Sequence, residues 1–345
     1  MITLYYDSNL RLQGPTYQVF PLLEELEKAN SQLHSVYKLI GSLNDCDYAM
    51  IPMSLQYLYV KGFKTRVHAF LEQCEKASKA VLVFSGGDYG MKPPSTNCIS
   101  IRLGGKASSF NHKTYIMPPF INDPFDWAGA EEPMKKPLQP TVGFVGHSDG
   151  STIKYIKELA SYLKGNFGRM LGVDSTEIQS FYPSSIKRFQ YLKKLENDQR
   201  VVSNFIHRRK YRAGASYESD RTRTQMEFYE NIRKNLYTFC LRGTGNFSVR
   251  FYETLAMGRI PLLINTDCEL PFRDEISWQE HAVIVNESEI KNMVRILVEF
   301  HQGISEEKCH ALQQKNRLLW EKYFQKDTFF MNLQRQLQSN ILKKL

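Results

Sequence analysis

At 345 residues the chain is longer than one hydrophobic core usually spans, so two domains are expected. Apolar residues make up 42% and aromatic residues 12%, which supplies two packed interiors and excludes general disorder. A formal charge of +9 and a pI near 9.1 invite an anionic partner, yet the densest basic group, His207, Arg208, Arg209, Lys210 and Arg212, is too small for a nucleic-acid-binding stripe.

The first predicted strand, residues 2–6, is entered without a basic n-region, an apolar h-region or a small-residue cleavage site, so no secretory signal is expected. No apolar run approaches the roughly 20 residues of a membrane-spanning helix, and a soluble, cytoplasmic chain is the expectation. Apolar residues at helical spacing over residues 17–29 (Val19, Phe20, Leu22, Leu23, Leu26) predict a helix. Residues 48–52 read as a strand, 67–79 as a helix, and 80–85 as a buried strand that ends at Gly86, Gly87 and Asp88. Between residues 123 and 140 the composition shifts to Pro124, Pro133, Pro137 and Pro140 with interspersed charges, an exposed connection. The domain boundary is placed there, giving domains 1–138 and 139–318 and a helical segment 319–345.

A new strand at 141–146 opens a second α/β unit. Helices at 152–164 and 184–195 and a strand at 201–206 follow, then a polar, basic stretch 208–223 read as a mobile loop. Next come a helix at 224–234, strand 236–241, helix 248–257, strand 259–264 and strand 282–285, and the chain reads helical from residue 305 onward. The six cysteines are widely spread with no CxxC and no metal-ligand spacing, so a reducing compartment is expected and no metal site is read. Cys240 lies in an apolar run, where a buried thiol is the natural reading.

Residues 240–264 carry the chemistry. Gly243 and Gly245 allow a sharp turn after the strand, Ser248 is placed to cap the next helix, and Gly258 is placed to stop it. A helix N-terminus with free amides attracts phosphate, and here Arg242 and Arg250 flank it. Glu253 follows Arg250 by three residues, on the same helix face, and suits the vicinal hydroxyls of a ribose. Arg250 and Glu253 are equally readable as an ordinary surface ion pair. Neither a GxxxxGK[ST] loop nor a GxGxxG fingerprint is present.

The run from Phe239 through Arg242, Gly243, Ser248, Arg250, Glu253 and Gly258 to Pro261, followed by Glu269, Leu270, Pro271 and Phe272 and by Ile276, Ser277 and Trp278, resembles the exostosin family of glycosyltransferases, family 47. The order of landmarks agrees: Phe84 to Gly90 around Asp88, then Tyr115 to Pro119, then Val142 to Gly146. The resemblance implies a GT-B fold, two Rossmann-like α/β domains facing across a cleft, with the C-terminal helices packing back toward the N-terminal domain. It implies transfer from a nucleotide-sugar donor, commonly UDP-linked, with inversion at the anomeric carbon and without a bound metal or a permanent cofactor. It places Arg242, Ser248 and Arg250 at the diphosphate, Glu253 at the ribose, and Glu269 and Leu270 near the sugar. The chain departs from the family in carrying Gly where many relatives have His before Asp88, and in lacking a membrane-anchored stem, so a soluble microbial or viral enzyme is expected.

Inverting transfer needs a base for the acceptor hydroxyl. Asp88, at the C-terminal edge of a strand, is the first candidate and Asp7, at the end of the first strand, the second; a turn role is the plain alternative for Asp88. Tyr57, Tyr59 and Trp127 are candidates to stack on the sugar rings of a glycan acceptor, with core or surface packing as the plain alternative. Two other functions remain open at this point. One is a fucosyltransferase using GDP-fucose; the other is a non-catalytic basic module for anionic polysaccharide or nucleic acid, against which the scattered charge argues. Residues 341–345 offer a peripheral membrane contact, though frayed chain ends are the ordinary case.

Overall fold

A computed structural model describes residues 1–130, 132–208 and 218–342. In chain order the first 118 residues form β1 (Ile2–Tyr5), α1 (Pro21–Leu26), β2 (Tyr37–Leu39), β3 (Tyr48–Met50), α2 (Leu55–Val60), α3 (Lys64–Lys76), β4 (Ala80–Ser85), β5 (Cys98–Arg102) and β6 (Thr114–Ile116). There follow α4 (Phe125–Ala128), β7 (Thr141–His147), α5 (Thr152–Met170), α6 (Ser184–Glu196), β8 (Val202–Arg208), α7 (Glu218–Arg233) and β9 (Tyr237–Cys240). The chain closes with α8 (Val249–Ala256), β10 (Ile260–Asn265), β11 (Val283–Asn286), α9 (Met293–Gly303), α10 (Glu306–Tyr323) and α11 (Lys326–Leu342).

Contacts divide the chain into two units, one of Met1–Pro118, Phe167–Ile178 and Lys322–Leu345, the other of Pro119–Asn166 and Gln179–Glu321. The proline-bearing stretch therefore groups with the second unit, where the sequence reading set a boundary at 138/139. Three anchors hold it there. Arg317 pairs with Asp123 at 2.5 Å, Gln313 exchanges two 2.8 Å hydrogen bonds with the Met134 backbone, and His301 meets the Pro137 carbonyl at 2.8 Å. In the first unit, α11 takes hydrogen bonds from Tyr37 to the Phe330 carbonyl and from Tyr48 to the Leu337 carbonyl, both 2.9 Å.

The first unit has a parallel sheet of order β2-β1-β3-β4-β5-β6, and the second a parallel sheet of order β11-β10-β9-β7-β8. Both are Rossmann-like α/β units, the domain content expected of a GT-B chain. Parallel strands need crossovers, which place helices on the faces and bury the strands on both sides. In the second unit that burial is met by Val142 and Phe144 of β7, Tyr237 and Phe239 of β9, and Leu262 and Ile264 of β10, packed with Leu192, Leu195 and Leu297 from α6 and α9. The winding direction reverses between β1 and β3 and again between β7 and β9. Ligands of open α/β sheets bind beyond the strand C-termini at such reversals.

The stretch 208–223, read as a loop, contains the end of β8 and the start of α7; residues 209–217 lie outside the described residues, as do residues 343–345 of the expected membrane contact. Among the described residues, no helix is long and apolar enough to cross a membrane.

Candidate functional site

Beyond the C-termini of β7 and β9, where the second sheet reverses, three guanidinium groups converge. Arg250, in the first turn of α8, donates from Nη2 to the Val145 carbonyl at 2.8 Å and lies over the rings of Phe144 and Phe228, 4.4 and 5.5 Å from their centroids. Gly146 makes the room: a Cβ there would stand 2.9 Å from that same Nη2. The Nε of Arg250 is buried without a hydrogen-bond partner, and burial holds its pKa below the usual arginine value.

Arg188, on the covered face of α6, donates from Nη1 to the His147 carbonyl at 2.6 Å and from Nη2 to the Arg242 carbonyl at 2.9 Å, so it ties the end of β7 to the turn after β9. Its Nε is also buried and unpartnered; burial first and the neighbouring Arg250 charge second lower its pKa to about 10. Neither Arg188 nor Arg250 has a carboxylate within ion-pair distance among the described residues. Arg242 hydrogen-bonds the Thr244 carbonyl at 2.8 Å and sits 4.8 Å over the Tyr182 ring. Glu287 fixes that ring from behind, accepting from Tyr182 at 3.1 Å, Tyr191 at 2.6 Å and Lys187 at 2.7 Å. Arg188, Tyr182 and Glu287 escaped the sequence reading. The signal for Arg188 was a lone cation among Ile186, Leu192 and Leu195 on the apolar face of a helix.

The helix that carries Arg250 begins as expected but for a different reason. Ser248 occupies the cap position in an extended conformation, yet its side chain makes no capping hydrogen bond; the Phe251 amide instead bonds the Ser248 carbonyl at 3.2 Å. Neither Gly243 nor Gly245 has a positive φ, and a Cβ on Gly243 would meet nothing within 4 Å. The turn therefore does not require glycine at 243, contrary to the expectation. At the other end Gly258, at φ +62°, closes α8 with its amide on the Leu255 carbonyl and that of Arg259 on the Thr254 carbonyl, each 2.9 Å.

Glu253 lies one turn into α8. Burial raises its pKa to about 7, against the opposing pull of the Arg250 charge and of the Tyr229 hydroxyl, which stands 3.4 Å from Oε1. Although three residues apart, Arg250 and Glu253 form no ion pair, so the surface-pair reading does not hold.

Arg242, Ser248, Glu269 and Leu270 line one narrow cleft with Phe247, Phe251, Tyr252 and Thr266. Arg250 and Glu253 do not line it. Its wall after β10 is held by Asn246, whose Nδ2 donates to the Thr266 and Asp267 carbonyls at 3.0 Å while its Oδ1 accepts from Thr266 at 2.6 Å. In the same loop Glu269 pairs with Arg273 at 2.7 Å, and Phe272 adopts φ +52°, a conformation rare for a bulky residue. The Trp278 indole donates to the Pro271 carbonyl at 3.0 Å and pins that geometry. Cys240 is fully buried, and burial pushes its thiol up to about 12, so it is inert packing.

The two candidate bases belong to the first unit. The Asp7 carboxylate accepts from the Asn9 amide and side chain, both 2.9 Å, and caps a short turn. Asp88 is exposed in the loop after β4, behind Gly87 at φ +84°. Tyr59 of α2 bonds His68 at 3.0 Å, Tyr57 lies under Lys61 at 5.6 Å, and Trp127 packs edge-on against Tyr229 at 4.8 Å. Among the described residues no group of three His, Cys, Asp or Glu side chains is placed to hold a metal ion.

A model of the exostosin GT47 domain matches residues 187–300. Exostosin-1 of Bos taurus is 37% identical over 109 residues, 30% of this chain and 14% of the relative. A probable glucuronosyltransferase, GUT1 of Oryza sativa, is 36% identical over 70 residues, 20% of this chain and 17% of the relative. The chain thus spans under a fifth of the length of either. Among solved structures, the lipopolysaccharide outer core galactosyltransferase WaaB is 13% identical over 100% of both chains, with a TM-score of 0.45. An alpha1,3-fucosyltransferase is 10% identical over 99% of this chain and 90% of its own, with a TM-score of 0.38. The matched stretch holds Arg188, Arg242, Arg250, Glu253 and Glu287 together, and over it the chain is similar to the exostosin GT47 domain.

Proposed function

We propose that this chain transfers a sugar, with inversion, from a nucleotide-diphosphate donor to a hydroxyl of a glycan acceptor, and that the donor is UDP-linked. The observation that carries the reading is the pair of guanidiniums of Arg188 and Arg250, each with a buried Nε, whose hydrogen bonds among the described residues go only to backbone carbonyls. Buried cations without a counter-charge are costly, and an anion at the sheet reversal would offset that cost. Arg242 and the first amides of α8 add to the same positive field. A diphosphate satisfies all of them at once. Glu253, one turn deeper, accepts the two ribose hydroxyls, and the cleft lined by Glu269 and Leu270 takes the sugar.

In this scheme the acceptor oxygen attacks the anomeric carbon from the face opposite the leaving group. Its proton passes to a carboxylate base, and the nucleoside diphosphate departs with the bonding electrons. Asp88, exposed in the loop after β4, is the base in this scheme. Guanidiniums that neutralise the departing diphosphate fill the role a divalent ion takes in other transferases. Turnover is therefore expected to be unaffected by chelators.

The experiment is a panel of nucleotide sugars incubated with the protein alone, with release of free nucleotide diphosphate measured. Slow hydrolysis of a UDP-sugar is the expected result. Hydrolysis of GDP-fucose alone would move the chain to the fucosyltransferase reading. No hydrolysis of any donor, with steeply salt-dependent binding of anionic polysaccharide, would move it to a non-catalytic module.

A further inference from the structure

Helix α5 presents Ile153, Ile156, Ala160, Leu163, Phe167 and Met170 at alternating spacings of three and four, the period of one continuous helical stripe. The five large side chains of that stripe are between 57% and 73% exposed, in a helix where only Asn166 is buried. The opposite side makes the packing contacts of the helix. Tyr155 and Tyr162 meet Phe181 at 5.6 and 5.1 Å, and the Asn166 amide bonds the Gln179 backbone at 2.7 and 3.0 Å. A Rossmann-like helix ordinarily turns its apolar face to the sheet; this one leaves its large aliphatic residues in water.

Charge identifies what covers it. Along one edge of the stripe stand Lys157 and Lys164, both exposed and neither in an ion pair. The single acid of the helix, Glu158, lies on the far side and pairs with Lys154 at 3.4 Å. An antiparallel second copy on the stripe would set each lysine edge against the same lysines, which disfavours it. An anionic lipid surface is favoured by both features. At 19 residues, about 28 Å long, the helix has the size and character of one that lies in the headgroup plane with its lysines reaching back to the phosphates. We propose that α5 is a docking helix for anionic lipid bilayers. The site at the sheet reversal lies at the start of this helix, so docking would hold the transferase against a membrane.

The test is cosedimentation of the whole protein with vesicles of phosphatidylcholine alone or containing about 30% phosphatidylglycerol. Neither donor nor acceptor is present, so the result is independent of the proposed transfer activity. Binding to the anionic vesicles is expected, with an Ile156→Glu, Leu163→Glu pair lowering partition at least about tenfold. A Lys157→Glu, Lys164→Glu pair should lower it by a similar factor, and added salt should weaken binding of the parent protein. These side chains are exposed, so unchanged melting temperatures are expected; an Ile156→Ser, Leu163→Ser pair serves if the glutamates disturb folding. Failure of the parent protein to sediment with anionic vesicles overturns the proposal, as does binding that the stripe substitutions leave intact. Concentration-dependent dimerisation abolished by Leu163→Glu, without vesicle binding, overturns it in favour of a second copy.

Discussion

Arg250 is the residue on which the proposed donor site most depends, and its position rests on a carbonyl, two aromatic rings and a glycine rather than on another charge. Arg250→Ala is expected to lower kcat by about 10² to 10³, the usual loss of one preorganised stabilising donor. Steady-state kinetics with the preferred donor checks this, and normal turnover in a folded variant removes Arg250 from the site. Glu253 makes a prediction of a different kind. Its folded pKa of about 7 exceeds the unfolded value of 4.5, so between those values the folded state holds the extra proton and stability falls as pH rises. The penalty is complete above pH 7. Glu253→Gln should therefore raise stability by about 1–3 kcal/mol at pH 8 and leave it nearly unchanged below about pH 4, measured by denaturant unfolding at both values. Ribose hydroxyls favour the carboxylate, so donor binding below pH 7 should release a proton. Calorimetry at pH 6 in two buffers of different ionisation enthalpy reads that release, and identical heats would count against a ribose role.

At the scale of elements, α8 is only eight residues long, and its C-terminal cap carries much of its definition. Gly258→Ala would force a Cβ at φ +62° to within 3.2 Å of the Gln313 carbonyl, a backbone atom that has little freedom to move. A loss of about 1–3 kcal/mol is expected, and a loss under about 0.5 kcal/mol would show the cap to be dispensable. The strand-helix-strand run through α8 was legible because apolar periodicity, a stop glycine and a strand of buried residues agree there. Elsewhere the signals conflict. β5 was missed because Ser100 and Arg102 interrupt its apolar pattern; Arg102 is tolerated inside by a 2.6 Å bond to Glu177 and another to the Gly104 carbonyl. β2 and β6 are three-residue edge strands, too short for any period to register. Gly243 misled, since proximity to a strand end is common to glycines that are needed there and glycines that are not. Arg188 was hidden because an arginine on a helix is usually solvated, and only its packing among leucines marks it out.

Across the whole molecule, the two α/β units were legible as alternating strands and helices, but the partition of the chain between them was not. Proline and charge mark exposure, whereas membership is decided by side chains far away in sequence, such as Arg317, Gln313 and His301. Since every residue assigned to the diphosphate and the ribose belongs to the second unit, UDP should slow amide exchange around β9, α8 and the N-terminal turn of α6 and leave the sheet of the first unit unchanged. Protection confined to the first unit would refute that assignment. The packing of Trp127 on Tyr229 has a practical consequence. Of the three tryptophans, Trp278 and Trp320 are buried and Trp127 is 42% exposed. Among the tryptophans, collisional quenchers such as iodide therefore act mainly on Trp127, so the quenchable part of the tryptophan emission comes from a fluorophore one ring away from the hydroxyl that touches Glu253. Occupancy of the proposed ribose position would be readable by light, without label or coupled assay.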